Sequence, residues 1–142
     1  MAKSFKFLIA TPTGIVAEDE SESLVLPGIA GYLGILANHA PLMTQVDIGT
    51  IKYRDTSGYD HHLAVTDGFL EVSKNIVTII ADAAEISHKI DLNRARAALG
   101  RAEGRLRSAV DDPNIDTNRA RAAFRRARNR ILVHENHGNA PK

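Results

Sequence analysis

The hydrophobic period of this chain changes once, near Ser87, from two residues to the roughly three-and-a-half of packed helices. No single element accommodates both periods, so the chain must build a strand-rich body first and a helical segment after it. In the first part Phe5, Phe7 and Ile9 alternate with Lys6 and Leu8. Thr13-Gly14 offers a turn before Ile15-Val16, and Leu24-Val25-Leu26 ends at Pro27-Gly28. Gly31 and Gly34 flank Tyr32-Leu33, and further strands are expected at 43–46, 49–54, 61–66, 69–72 and 76–81. Thr56-Ser57-Gly58, Asp67-Gly68 and Lys74-Asn75 read as turns between them. Many short strands without an intervening helical period argue for an antiparallel sandwich or a flattened barrel.

After Ser87, Leu92, Ala95, Leu99, Ala102, Leu106 and Ala109 form one seam, and Ala120, Phe124, Ala127, Ile131 and His134 a second. Asp91 can cap the first helix, and Asp116 or Thr117 the second, by accepting a hydrogen bond from an otherwise orphaned N–H. Asp111-Asp112-Pro113-Asn114 breaks the chain between them. So short a connection makes the two helices antiparallel neighbours. The seam is mostly alanine, which buries little area, and Gly100 and Gly104 each cost the first helix about 1 kcal/mol relative to alanine. The sequence therefore describes a hairpin with weak internal sealing, a movable appendage rather than a second rigid core. Two domains are expected, 1–87 and 88–142, with a tail from Gly138 to Lys142 that frays.

Charge follows the same division. Residues 1–87 carry five basic groups against eleven acids, a net of −6, and residues 88–142 carry thirteen against six, a net of +7. Eleven of those thirteen are arginine, which donates paired hydrogen bonds to carboxylates and phosphates. The basic helices therefore read as a contact surface for acidic partners. A nucleic-acid-binding module is the alternative, because arginine clusters also attract phosphate backbones. Against it stand the acidic first domain and only 5% aromatic residues, too few for a stacking platform.

A catalytic reading finds no footing. The chain has no cysteine, hence no disulfide framework and no thiolate chemistry. It has neither a glycine-rich phosphate loop ending in Lys-Ser or Lys-Thr nor a Gly-x-Ser-x-Gly elbow. His61 and His62 are adjacent on an expected strand, so they face opposite sides and do not share a metal. No metal site is expected. Apolar runs such as Ile76–Ala81 fall far short of the roughly 20 residues that cross a bilayer, and Met1–Phe5 does not read as a signal peptide. The expectation is a soluble, non-catalytic protein that meets a membrane only through a partner.

Four segments together resemble the epsilon subunits of bacterial and chloroplast-type F-type ATP synthases. They are Gly31-Tyr32-Leu33-Gly34-Ile35-Leu36-Ala37-Asn38-His39-Ala40-Pro41-Leu42, Asp67-Gly68-Phe69-Leu70-Glu71-Val72 followed by Val77–Ala81, Ile90-Asp91-Leu92-Asn93-Arg94-Ala95, and Arg125-Arg126-Ala127-Arg128-Asn129-Arg130. The resemblance implies a ten-stranded antiparallel β-sandwich followed by an antiparallel two-helix hairpin. It implies a sandwich bound to the gamma subunit and the ring of c subunits, coupling rotation to the catalytic head. It further implies a hairpin that lies on the sandwich or extends towards the alpha and beta subunits, where it inhibits ATP hydrolysis. Such a chain is peripheral, on the cytoplasmic face of the bacterial inner membrane.

Some members of that family bind a regulatory ATP on the folded hairpin. Carried to this sequence, the residues implicated are Glu85, Ile90, Asp91, Arg94, Ala95, Arg101, Arg126 and Arg130. At a hundredfold excess over Kd, such binding would stabilise the packed hairpin by about 2.7 kcal/mol. Two departures from the family pattern are visible. Tyr32 stands where an acidic residue is common in the loop that faces the c ring, and Asp67-Gly68 replaces Gly-Gly. Tyr32 and His39 are the ring contacts the resemblance suggests.

Overall fold

The computed structural model describes residues 3–139. Seven strands precede a 3-10 turn and two helices: β1 (Phe5–Thr11), β2 (Gly14–Gly28), β3 (Gly31–Leu36), β4 (Leu42–Val46), β5 (Gly49–Asp55), β6 (Asp60–Ser73), β7 (Ile76–Ile86), the turn Ser87–Lys89, α1 (Leu92–Ser108) and α2 (Thr117–His137). The expected ten strands become seven because three of them are long and bend from one layer of the sandwich into the other. The first half of β2 pairs with β1, and its second half pairs with β3 and β5. The two halves of β6 pair with β5 and then β4, while β7 follows β6 throughout and takes β1 along its first half. One layer thus holds β4, β1 and one half of each long strand. The other holds β3, β5 and the remaining halves.

One expected boundary fails. Asp67-Gly68 is not a turn between strands but a bend within β6, where Asp67 takes a φ of 39° and the β6–β7 register skips a pair. A Cβ on Gly68 would run into the Ile80 carbonyl oxygen and approach the Ala81 Cα to 2.8 Å. Only glycine lets the strands cross so closely here. The acidic stretch Glu18–Glu22 belongs to β2 although it shows no apolar alternation. Its one inward residue, Ser21, is fully buried and donates to the Ser23 and Arg54 carbonyls at 2.7 and 2.9 Å. The sheet is antiparallel except for β1 and β7, which run parallel.

Phe5, Phe7, Ile9, Leu24, Leu26, Ile35, Ile51, Leu63, Leu70, Val77 and Ile79 fill the space between the layers. Each such side chain contributes about 1.5–3 kcal/mol of burial. The helices carry much less. In α1 only Ala95 and Ala102 are buried, and in α2 Ala120, Ala127 and Val133. The seam residues Leu92, Leu99, Leu106, Phe124 and Ile131 are only partly covered. Helix α2 continues through His137, and the tail beyond Asn139 lies outside the described residues.

Candidate functional site: the hairpin dock and the cleft beneath it

Helix α2 presents two faces. Ala120 and Ala127 meet α1, while Arg125, Asn129, Val133 and His137, four residues apart, turn to the sandwich. The Arg125 guanidinium lies 3.4 Å from the Asp47 carboxylate, and Asn129 Nδ2 donates to the Gly49 carbonyl at 2.8 Å. Val133 packs with Ile90 and Ala64 in a small apolar cluster of its own. The His137 ring lies flat on that of His62. One position along, His134 Nδ1 lies 3.1 Å from the Ser87 carbonyl, which can only accept, so that nitrogen carries the hydrogen. Arg130 Nη2 donates to Glu85 at 3.2 Å, and its Nε stands 2.6 Å from the other carboxylate oxygen, an electrostatic contact rather than an aligned bond. The dock is therefore polar and ionic, with one small apolar cluster to anchor it.

Of the eight residues implicated in nucleotide binding, four come together. Glu85, Arg94, Arg126 and Arg130 line one cleft of about 530 Å³ between β7, α1 and α2, with Thr11 and Thr66 at its sandwich wall. The other four do not join them. The Asp91 carboxylate accepts from the Arg94 backbone N–H at 3.0 Å and so serves as the cap of α1. Asp116 does the same for α2, accepting from Arg119 at 3.1 Å. Ile90 and Ala95 are buried in packing, and Arg101 is exposed further along α1, away from the cleft lining. A second cleft, of about 590 Å³, opens at the loop end of the hairpin between Arg105, Arg119 and Arg126. No local sequence signal brings these three together, because they meet only once the helices pair.

Tyr32 and His39 do not share one loop. Tyr32 belongs to strand β3, because the 31–36 segment pairs along β2 and so extends the sheet. Its ring is 60% exposed, yet its hydroxyl accepts from the Thr50 N–H at 3.1 Å. The ring passes over Gly49, where a Cβ would stand 2.6 Å from that hydroxyl. His39, half-buried in the β3–β4 loop, has its Nδ1 2.6 Å from the Ala40 carbonyl.

His61 and His62 go separate ways. His61 Nε2 lies 2.8 Å from Asp55 and its ring stacks on Tyr53. That partner holds the Asp55 carboxyl below the usual range, aided by the Tyr59 and Ser57 N–H groups and opposed by partial burial. Asp19 completes a trio whose oxygen and nitrogen atoms lie within 4.8 Å of one another.

The layer away from the hairpin exposes several apolar side chains among polar ones on its outer face. Phe69 and Ile80 sit opposite one another on β6 and β7, with Met43 and Ile76 exposed nearby.

Comparison with known proteins agrees with this architecture. Residues 4–87 match the family described as ATP synthase, Delta/Epsilon chain, beta-sandwich domain, and residues 88–135 match its long alpha-helix domain. The ATP synthase epsilon chain of Desulfitobacterium hafniense (strain Y51) is 48% identical over 113 residues, covering 78% of this chain and 85% of the relative. That of Latilactobacillus sakei subsp. sakei (strain 23K) is 43% identical over 116 residues, covering 78% and 80%. A chain of the Euglena gracilis mitochondrial ATP synthase superposes with a TM-score of 0.79 over 96% of this chain and 84% of that one, at 17% identity, a likeness of fold alone. With both parts of the chain matched and close relatives along most of its length, the chain belongs to the family of ATP synthase delta/epsilon chains.

Proposed function

We propose that this chain is a non-catalytic subunit of the central stalk of a proton-translocating ATP synthase. Its sandwich couples c-ring rotation to the catalytic head, and its hairpin restrains ATP hydrolysis. The observation that carries the second role is the polar dock: the hairpin rests on the sandwich through one helix, by contacts that water or another protein can replace. The exposed side chains of Phe69, Ile80, Met43 and Ile76 suit the gamma subunit, and the β3 edge with Tyr32 and the loop carrying His39 suit the c ring. Arginines facing outward from both helices suit acidic surfaces of the alpha and beta subunits. Attachment to the cytoplasmic face of a bacterial inner membrane follows through those partners; no described helix is long and apolar enough to cross it. Deleting residues 88–142 from the assembled complex should raise its ATP hydrolysis severalfold, and an unchanged rate in every nucleotide condition would remove the inhibitory role.

The cleft beneath the hairpin is proposed to take ATP as a regulatory ligand. Its volume falls within the range of small-molecule sites. Arg94 and Arg126 are free of the ion pair that occupies Arg130, and guanidinium groups from two helices suit a polyphosphate. Bound there, a nucleotide would tie α1, α2 and β7 together and favour the docked hairpin. Calorimetric titration with ATP tests the site. Arg126→Ala should weaken binding about tenfold or more, and a wild-type chain silent up to millimolar ATP would end the proposal.

A further inference from the structure

The rings of His62 and His137 lie face to face with centroids 3.6 Å apart and planes within 1° of parallel. His62 stands on β6, opposite Lys52 of β5. His137 is the last residue of α2. Their stack joins the end of α2 to the sandwich. Imidazoles can rest this close only while one of them is neutral, because two positive rings at that separation repel strongly in a partly desolvated contact.

We propose that the His62–His137 stack is an acid-released latch. With the pair deprotonated it closes the end of α2 onto β6, and protonation of both rings opens it. The charged surroundings point the same way. From β5, Lys52 faces His62, while Asp60 and His61 flank it on β6 and His137 covers it from α2. Burial, then the His137 and Lys52 charges, push the His62 imidazole below its ordinary range, and Asp60 only partly offsets them. A base whose affinity for protons is lower when docked than when free gives up a proton on docking. Docking is therefore complete above the free-imidazole value of about 6.5 and weakens as pH falls through it.

The rest of the dock is built differently. The Asp47 and Glu85 carboxylates pair with arginines. His134 already donates from Nδ1 to Ser87, so a second proton on Nε2 leaves that bond intact. His61 turns to Asp55 and has no part in the contact. The inference concerns docking within the chain and is independent of any effect of the hairpin on catalysis.

Because the chain has no cysteine, spin labels can be placed at Thr56→Cys and Asn136→Cys in the full-length protein. Between pH 7.5 and 5.5 the ratio of docked to released hairpin should fall by up to about tenfold, the limit for one coupled proton. His62→Phe keeps a ring to stack but removes the group that gives up its proton on docking, and should abolish the fall. A wild-type change below twofold overturns the latch, as does a His62→Phe variant that retains the full change. Should that variant fail to dock at pH 7.5, nuclear magnetic resonance titration of the wild-type His62 ring decides. A midpoint below the free-imidazole value upholds the latch, and one at or above it overturns it.

Discussion

Tyr53 occupies a position where a phenol is hard to ionise. Burial, the Asp19 and Asp55 carboxylates and the Asp19 hydrogen bond together push it up to about 12. An unfolded tyrosine ionises near 10, so the folded state holds the proton more tightly. Its contribution to stability is complete below about pH 10 and is lost as pH rises through 12, amounting to about 2–3 kcal/mol over that interval. Alkaline unfolding in urea should show this loss, and Tyr53→Phe should flatten it, leaving a steeper unmodified profile as the outcome that contradicts the account. None of this was visible along the chain. His61, Asp55, Tyr53 and Asp19 come from three strands, and only the closed sheet sets them side by side.

At the scale of elements, the two glycines of α1 are informative because nothing fills the space beside them. A Cβ at Gly100 or Gly104 would meet no atom within 4 Å. Each therefore costs the helix its propensity difference without a packing reason. Gly100→Ala and Gly104→Ala should each stabilise the hairpin by about 1 kcal/mol, read as slower hydrogen exchange in α1. The helices, their caps and the proline-marked break were legible because they rest on local rules: spacing, a carboxylate three residues before an N–H, a residue that cannot donate. The dock stripe Arg125-Asn129-Val133-His137 has helical spacing too, yet three of its four members are polar. A hydrophobic period cannot find a polar interface. The acidic first half of β2 shows no apolar alternation for the same reason, whereas Asp67-Gly68, a turn pair by composition, bends a continuous strand.

The whole molecule divides into a body held by buried hydrocarbon and an arm held to it largely by charge and hydrogen bonds. Raising salt from 0.1 to 1 M shortens the screening length to about 3 Å and should loosen the Arg125–Asp47 and Arg130–Glu85 contacts. Spin-label distances between α2 and the sandwich should broaden, while the thermal midpoint of the sandwich holds. Coincident loss of both would mean that arm and body form one cooperative unit. Of the eight residues that the resemblance names, four line the cleft and four stand elsewhere. Resemblance transfers positions, and only the paired helices decide which side chains reach a common space.

One amide plane joins two regions that otherwise have little to do with each other. The Gly49 carbonyl receives Asn129 from the arm, while the N–H at the opposite end of that same peptide unit holds the exposed Tyr32 hydroxyl. A body pressing on that aromatic ring from outside would tug at the linkage from which the arm hangs. The rim of the sandwich is thereby wired to the grip on its lever through a single shared bond.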